Sequence, residues 1–63
     1  MVTLRNILGL MDDFTRIAIV INTQEIQAFP LFALEFFKDA VLDLEVVRVN
    51  GSRIYLAGNN NNA

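Results

Sequence analysis

Residues 44–56 read LEVVRVNGSRIYL, which places two β-rich runs on either side of Asn50-Gly51. An Asn-Gly pair between such runs is the strongest short-range signal for a tight β-hairpin, because both residues tolerate positive φ. A two-residue loop at Asn50-Gly51 would place Arg48 opposite Arg53. The predicted core face holds Val47, Val49, Ile54 and Leu56, and the predicted open face holds Val46, Arg48, Arg53 and Tyr55.

A second hairpin is predicted earlier in the chain. Residues 15–21 (TRIAIVI) are rich in β-branched residues, and their isoleucines alternate onto one face. Because Ala18 and Val20 make the other face apolar as well, this run is typical of a central strand or of one covered by a partner. Residues 25–29 follow a short polar connection and are predicted to form its antiparallel neighbour.

Two helices are predicted to accompany the strands. Residues 3–11 carry an apolar stripe with helical spacing, and Thr3 is suited to cap its N-terminus. Pro30 suits the first position of a second helix over residues 31–41. The apolar arc of this helix is broader than the ~100° of a typical surface helix. That arc consists of Ala33, Leu34, Phe36, Phe37, Ala40 and Val41, whereas Leu31 and Phe32 lie outside it.

The order of these elements, α-β-β-α-β-β, predicts a single α+β domain over residues 1–57. Its sheet should have four mostly antiparallel strands with the helices on one face. Residues 58–63 are an Asn-rich tail that we expect to be disordered. The predicted core consists of Leu4, Ile7, Leu8, Met11, Ile17, Ile19, Leu34, Phe37, Val41, Val47, Ile54 and Leu56.

The chain has 63 residues, of which 54% are hydrophobic. A domain this small has little interior, so part of this apolar surface should be buried against another molecule. We therefore expect a homo-oligomer, either a symmetric dimer or a dimer of dimers. The apolar positions left over after one core is filled, and hence the predicted interface, are Ala18, Val20, Leu31, Phe32, Val46 and Tyr55.

The chemistry available to the chain is limited, because it contains no His and no Cys. The commonest general base, soft metal ligands and strongest nucleophile are therefore missing, and we predict a non-enzyme with no catalytic residues and no cofactor. Asp12 and Asp13 are weak candidates for a metal site, since adjacent carboxylates rarely converge on one ion unaided. A turn that ends the first helix is the simpler interpretation.

The cellular location is predicted from the lack of targeting and membrane-spanning patterns in the sequence. Residues 1–11 do not have the pattern of a secretory signal peptide, and no apolar run is long enough to cross a membrane. We therefore expect a cytoplasmic protein without a membrane partner.

The facing arginines of the predicted hairpin raise a second functional possibility. Like charges directly across a strand pair repel, so Arg48 and Arg53 would need a counter-charge. With Tyr55 beside them, they would form a basic and aromatic patch suited to an anion or to single-stranded nucleic acid. A neighbouring carboxylate such as Glu45 would neutralise them equally well, and the net charge of −2 disfavours non-specific polyanion binding.

Residues 3–17, TLRNILGLMDDFTRI, resemble the opening of small phage and prophage proteins of Gram-positive bacteria. Those proteins begin with a leucine-rich helix, an Asp-rich turn, a Thr, a basic residue and a β-branched strand. The resemblance extends over about residues 3–56, with departures at residues 22–24 and 29–37. It implies a cytoplasmic protein of a bacterial host that acts as an anti-CRISPR or other anti-defence inhibitor, or as an oligomeric nucleic-acid binder.

Two functions therefore stay open at the level of sequence. The first is a homo-oligomeric interaction protein that inhibits a host defence protein. The second is a small protein that binds or processes nucleic acid through Arg48, Arg53 and Tyr55, with Asp13 as a further candidate residue. The acidic net charge and the apolar surplus favour the first function, and the arginine pair favours the second.

Overall fold

The computed structural model describes residues 1–58, and two antiparallel hairpins joined edge to edge form its sheet. The predicted Asn-rich tail lies outside this range, apart from Gly58. The elements in chain order are α1 Leu4–Leu8, β1 Ile17–Ile21, β2 Gln24–Ala28, α2 Pro30–Phe36, α3 Asp39–Leu42, β3 Val46–Asn50 and β4 Arg53–Leu56.

The sheet has the strand order β2-β1-β4-β3, and only the β1–β4 pair is parallel. The predicted α+β class with a mostly antiparallel four-stranded sheet is thus confirmed. β1 is a central strand, which explains why its sequence is apolar on both faces. The parallel pairing, in which Ala18 lies beside Arg53, was not predicted.

The helices cover one face of the sheet and close the core. Ile19 and Ile54, neighbours on β1 and β4, have no exposed surface. Five predicted core residues, including Phe37, are only partly buried at the edge of this core. Two residues absent from the predicted core, Ala33 of the predicted apolar arc and Leu42, are also buried. The buried core cluster consists of Leu4, Leu8, Ile17, Ile19, Ala33, Leu42, Ile54 and Leu56.

The first helix is shorter than predicted but begins where expected. The Thr3 hydroxyl accepts a hydrogen bond from the Asn6 N–H, and the Asn6 side chain accepts one from the Thr3 N–H. Two of the backbone donors at the helix start are thereby satisfied. Arg5 then reaches across to α3, where its guanidinium bonds Asp39 and Asp43 at 3.1 and 3.2 Å. The hydrogen bonds that the guanidinium donates, to Asp39 first and then to Asp43, raise the pKa of Arg5.

The predicted helix over residues 31–41 is broken into α2 and α3. Phe37 and Lys38 adopt extended backbone (ψ 146° and 149°), although neither Gly nor Pro lies there to impose a break. The break turns Leu42 into the core and leaves Ala40 and Phe36, two members of the predicted apolar arc, exposed outside it. Within residues 1–58, none of the helices has the length and apolar character to cross a membrane.

The second hairpin has a different register from the predicted one. Asn50 pairs with Arg53, so the two-residue loop is Gly51-Ser52 rather than Asn50-Gly51. Gly51 has φ +62°, the value that the first position of a type II′ turn requires and that glycine adopts without strain. Arg48 therefore faces Tyr55 and not Arg53, and the predicted repulsion between the two arginines does not arise.

A bulge at Val47 corrects the predicted faces of β3. The pairing steps from Val46–Leu56 to Arg48–Tyr55, so Val47 is an extra residue without a partner. Val46 consequently packs against the core, while Val47 is exposed, the reverse of the prediction for both residues. Val49 keeps its predicted face, opposite Ile54, but is exposed at the margin of the sheet.

The start of the chain is tied to the beginning of β3. Thr3 forms an isolated antiparallel bridge with Glu45, flanked by hydrogen bonds from the Leu4 N–H to the Leu44 carbonyl and from the Val46 N–H to the Val2 carbonyl. On the other side of Glu45, its carbonyl accepts a hydrogen bond from the Ala57 N–H at 2.8 Å. This part of β3 is therefore not an open sheet edge.

Candidate functional site

Four phenylalanines form a continuous cluster, which we call the aromatic surface: Phe14, Phe32 and Phe36, which are exposed, and Phe29, which is half-buried. The first three pack edge to face in a triangle, with ring centroids 6.1–6.2 Å apart, and Phe36 stacks on Phe32 at 6.3 Å. Each contact is within the range in which aromatic pairs attract. The cluster is thus preorganised by contacts among its own rings.

Exposure distinguishes this cluster from a core. Phe14 is 65% exposed and Phe36 is 73% exposed, although phenylalanine is among the residues most often buried. Phe32 and Phe36 lie one turn apart on α2 and are exposed, whereas Ala33 between them in the sequence is buried. The aromatic surface therefore exposes to solvent a continuous apolar area of a kind that folded monomers usually bury.

Phe14 belongs to the turn after α1, and backbone hydrogen bonds hold that turn against α2. The Thr15 N–H donates to the Asp12 carbonyl at 3.2 Å, and the Leu31 N–H donates to the Asp13 carbonyl at 3.1 Å. The second bond also satisfies one of the orphan donors at the start of α2. These backbone hydrogen bonds therefore position the Phe14 ring against the rings of Phe29 and Phe32.

A groove with a volume of about 450 Å³ runs beside the aromatic surface. The end of β2 forms one wall, and α2 with Phe37 forms the other. Its volume falls within the range of protein ligand sites, which is about 300–1,000 Å³, and its lining is mostly apolar. The lining residues are Arg16, Gln27, Ala28, Phe29, Phe32, Ala33, Phe36 and Phe37.

Arg16 is the only charged residue that lines this groove. Among residues 1–58, it forms no ion pair and no hydrogen bond, in contrast to Arg5 and Arg53. A guanidinium offers five donors in a planar fork that matches a carboxylate. The groove thus combines an apolar wall with an unpaired positive charge, which suits an apolar group carrying a carboxylate.

The predicted interface residues are only partly brought together. Phe32 belongs to the aromatic surface and Leu31 is its half-buried neighbour on α2, but Ala18 is already buried and Val46 packs on the core. Val20 and Tyr55 pair with each other on the open face of the sheet. Sequence reasoning missed Phe14, Phe29 and Phe36. The available signal for Phe36 was its i, i+4 spacing from Phe32, which places both rings on one side of a helix, but Phe36 was placed inside the apolar arc and Phe32 outside it.

The open sheet face holds the three residues predicted to bind an anion or nucleic acid. The Arg48 guanidinium lies 4.6 Å from the centroid of the Tyr55 ring, a cation–π contact. Arg53 lies at the far end of β4 and forms an ion pair with Glu25 at 3.4 Å. The counter-charge of Arg53 is thus a neighbouring carboxylate, although from β2 rather than Glu45. Anion binding by these residues stays a prediction.

Asp12 and Asp13, the predicted weak metal candidates, lie in the turn between α1 and β1. Within the described part of the chain, no three His, Cys, Asp or Glu side chains lie close enough together to hold a metal ion. Both side chains are exposed, and within residues 1–58 neither forms an ion pair. Their carbonyls, described above, shape the turn.

Comparisons with known proteins identified no relative of the chain. No protein-family model, no curated protein and no solved structure matches the chain.

Proposed function

We propose that this protein is a small, non-catalytic interaction protein that forms a homo-oligomer through its aromatic surface. The observation that carries the proposal is the preorganised cluster of Phe14, Phe29, Phe32 and Phe36, two of whose rings are more than half exposed. Aromatic side chains are enriched in the cores of protein interfaces and among the residues that dominate binding energy.

The energetics of the cluster agree with self-association. Fully burying a phenylalanine side chain is worth about 1.5–3 kcal/mol, so several rings from each of two copies supply a substantial driving force. Association opposes this with about 4–15 kcal/mol of lost freedom. Because the rings already contact one another, little additional side-chain entropy is lost when they are covered. We therefore expect reversible association that depends on protein concentration.

Replacing Phe36 by glutamate should dissociate the oligomer without unfolding the chain. The side chain is 73% exposed and contributes little to the monomer core, but a carboxylate on the aromatic surface would have to be desolvated in an interface. Multi-angle light scattering at tens of micromolar should show wild type above its 7.1 kDa monomer mass and Phe36→Glu at that mass.

Val47→Glu is the matched control for this experiment. Val47 is an exposed apolar residue at the β3 bulge, away from the aromatic surface, so a glutamate introduced there should leave the oligomer intact. A wild-type protein that is monomeric up to several hundred micromolar would contradict the proposal. Equal dissociation by both variants would show that the aromatic surface is not the interface.

The resemblance to small phage proteins extends this proposal to a partner class. A host defence protein in the bacterial cytoplasm is the partner that the resemblance implies. The aromatic surface is the part of the described chain best suited to contact it, because a continuous exposed apolar patch marks a protein interaction site more often than scattered apolar residues do.

Nucleic-acid binding is the second candidate function, supported by the presence of Arg48, Arg53 and Tyr55 on one uncovered sheet face. For this function, Arg48→Ala should weaken binding to single-stranded DNA and lower the slope of its salt dependence by about one unit. Gel shifts at two salt concentrations measure both effects. Asn50→Ala, on the same face of β3, is the uncharged control. Absence of salt-sensitive binding by wild type at low ionic strength would exclude this candidate.

A further inference from the structure

The turn between α1 and β1 presents an apolar side chain and two carboxylates to solvent. Leu10 is 86% exposed, and Asp12 and Asp13 follow it in the same turn. Within residues 1–58 neither carboxylate has an ion-pair partner. Hydrogen bonds to the carbonyls of Asp12 and Asp13 fix the turn against α2, so its three side chains project from a held backbone.

The groove beside the aromatic surface has the complementary character. Its walls are the rings of Phe29, Phe32 and Phe36, and its single charged residue is the unpaired Arg16. An apolar wall with one guanidinium selects an aliphatic group accompanied by a carboxylate. The turn of residues 10–14 offers these two groups within three residues of each other.

We infer that this groove binds the turn of residues 10–14 from a second copy of the chain, with Leu10 against the phenylalanine rings and Asp12 or Asp13 on Arg16. This inference rests on the proposed self-association and specifies which residues of the two copies contact each other. In a two-fold dimer, each copy presents the same surface to the other, so the turn and the groove must share one face. Phe14 establishes that they do, because it ends the turn and its ring contacts two rings of the groove wall.

In such a dimer Arg16 of each copy faces the carboxylates of the other copy, so the two sides of each contact can be changed by mutation one at a time. Arg16→Glu should place like charges at both contacts of the dimer and raise its dissociation constant by roughly tenfold, as expected from exposed pairs counted twice. The double variant Asp12→Lys/Asp13→Lys should weaken the dimer similarly, because Arg16 then meets lysines. Lys38→Glu, which changes net charge by the same amount as Arg16→Glu outside the groove lining, is the control.

Mixing the two charge variants is the decisive measurement. One contact of the mixed dimer then joins the carboxylate introduced by Arg16→Glu to the two lysines of the double variant, and the other contact joins native Arg16 to native carboxylates. Sedimentation velocity on the equimolar mixture should recover a dimer close to wild-type affinity, and this recovery also shows that both variants are folded. No recovery, with a dimeric wild type, overturns the inference but leaves the proposed self-association standing. A monomeric wild type overturns both.

Disulfide trapping provides a second measurement that does not depend on charge. The chain has no native cysteine, so Leu10→Cys and Gln27→Cys introduce single thiols on the turn and in the groove. Under mild oxidation, their mixture should give a covalent dimer more than tenfold faster than either variant alone. Equal rates in all three samples would overturn the inference even if the charge variants failed to fold.

Discussion

Replacing Ile19 by alanine should lower the free energy of unfolding by about 2–5 kcal/mol, the range for removing a fully buried aliphatic side chain. Ile19 lies on β1, one of the two central strands, and has 0% of its surface exposed. The space left behind would be surrounded by Ile54, its neighbour on β4, and by other residues of the buried core cluster. For a domain whose stability is at the low end of about 5–15 kcal/mol, this loss is a large fraction of the whole.

Urea denaturation followed by circular dichroism measures this effect directly. We expect the midpoint of Ile19→Ala to fall sharply, or the variant to be unfolded in the absence of urea. Ile26→Ala is the matched control, because Ile26 is an exposed isoleucine on edge strand β2. If the two variants lost similar amounts of stability, the placement of β1 at the centre of the sheet would be wrong.

Replacing Leu42 by alanine should also lower the free energy of unfolding by about 2–5 kcal/mol. Leu42 is 1% exposed and is the last residue of α3, a helix of four residues that is too short to be stable by itself. Its burial, together with the ion pairs from Arg5, holds α3 on the core. The variant should therefore lose the contacts of α3 as well as the buried leucine side chain.

This result would separate the observed two-helix arrangement from a continuous helix. In a continuous helix over residues 31–41, Ala40 would face the core, so Ala40→Asp would be severely destabilising. In the structure Ala40 is exposed, and we expect Ala40→Asp to change the free energy of unfolding by less than about 0.5 kcal/mol, as most surface substitutions do. Thermal unfolding of both variants measures the contrast. A large loss for Ala40→Asp with a small loss for Leu42→Ala would contradict the break at Phe37-Lys38.

The sequence carries enough information to predict the elements of this fold. The alternation of isoleucines at 17, 19 and 21 predicts β1, and its apolar second face predicts a central position. Thr3 and Pro30 predict the starts of two helices because each supplies a local reason to begin there, a capping hydroxyl and a missing N–H. These signals are local, and the structure confirms all of them.

Arrangements decided by tertiary contacts could not be predicted in the same way. Nothing in residues 31–41 interrupts a helix, so the break between α2 and α3 follows from packing rather than from propensity. The hairpin register depends on which residue of Asn50-Gly51-Ser52 begins the turn, and both choices satisfy the alternation of the strands. The Val47 bulge then exchanges the faces of two adjacent valines that are chemically identical.

The candidate site was predicted only in part for the same reason. Phe32 was assigned to an interface because it falls outside the apolar arc, and it does belong to the aromatic surface. Phe36 lies inside the apolar arc of the predicted helix, and helical periodicity alone does not separate an exposed phenylalanine in such an arc from a buried one. Phe14 carries no periodic signal, since it follows an acidic turn, and only the fold shows that this turn returns to α2. Exposure of large apolar residues is a tertiary property.

The hydrogen bonds on the two sides of Glu45 nearly close the described chain into a ring. Thr3 bridges to this residue from one side and Ala57 donates to its carbonyl from the other, so segments from opposite ends of the described chain flank one short stretch of backbone. With neighbouring strands about 4.8 Å apart, these segments lie roughly 10 Å from each other. Fraying of either segment therefore removes a neighbour from Glu45, which couples the order of the segment around Thr3 to that of the segment around Ala57.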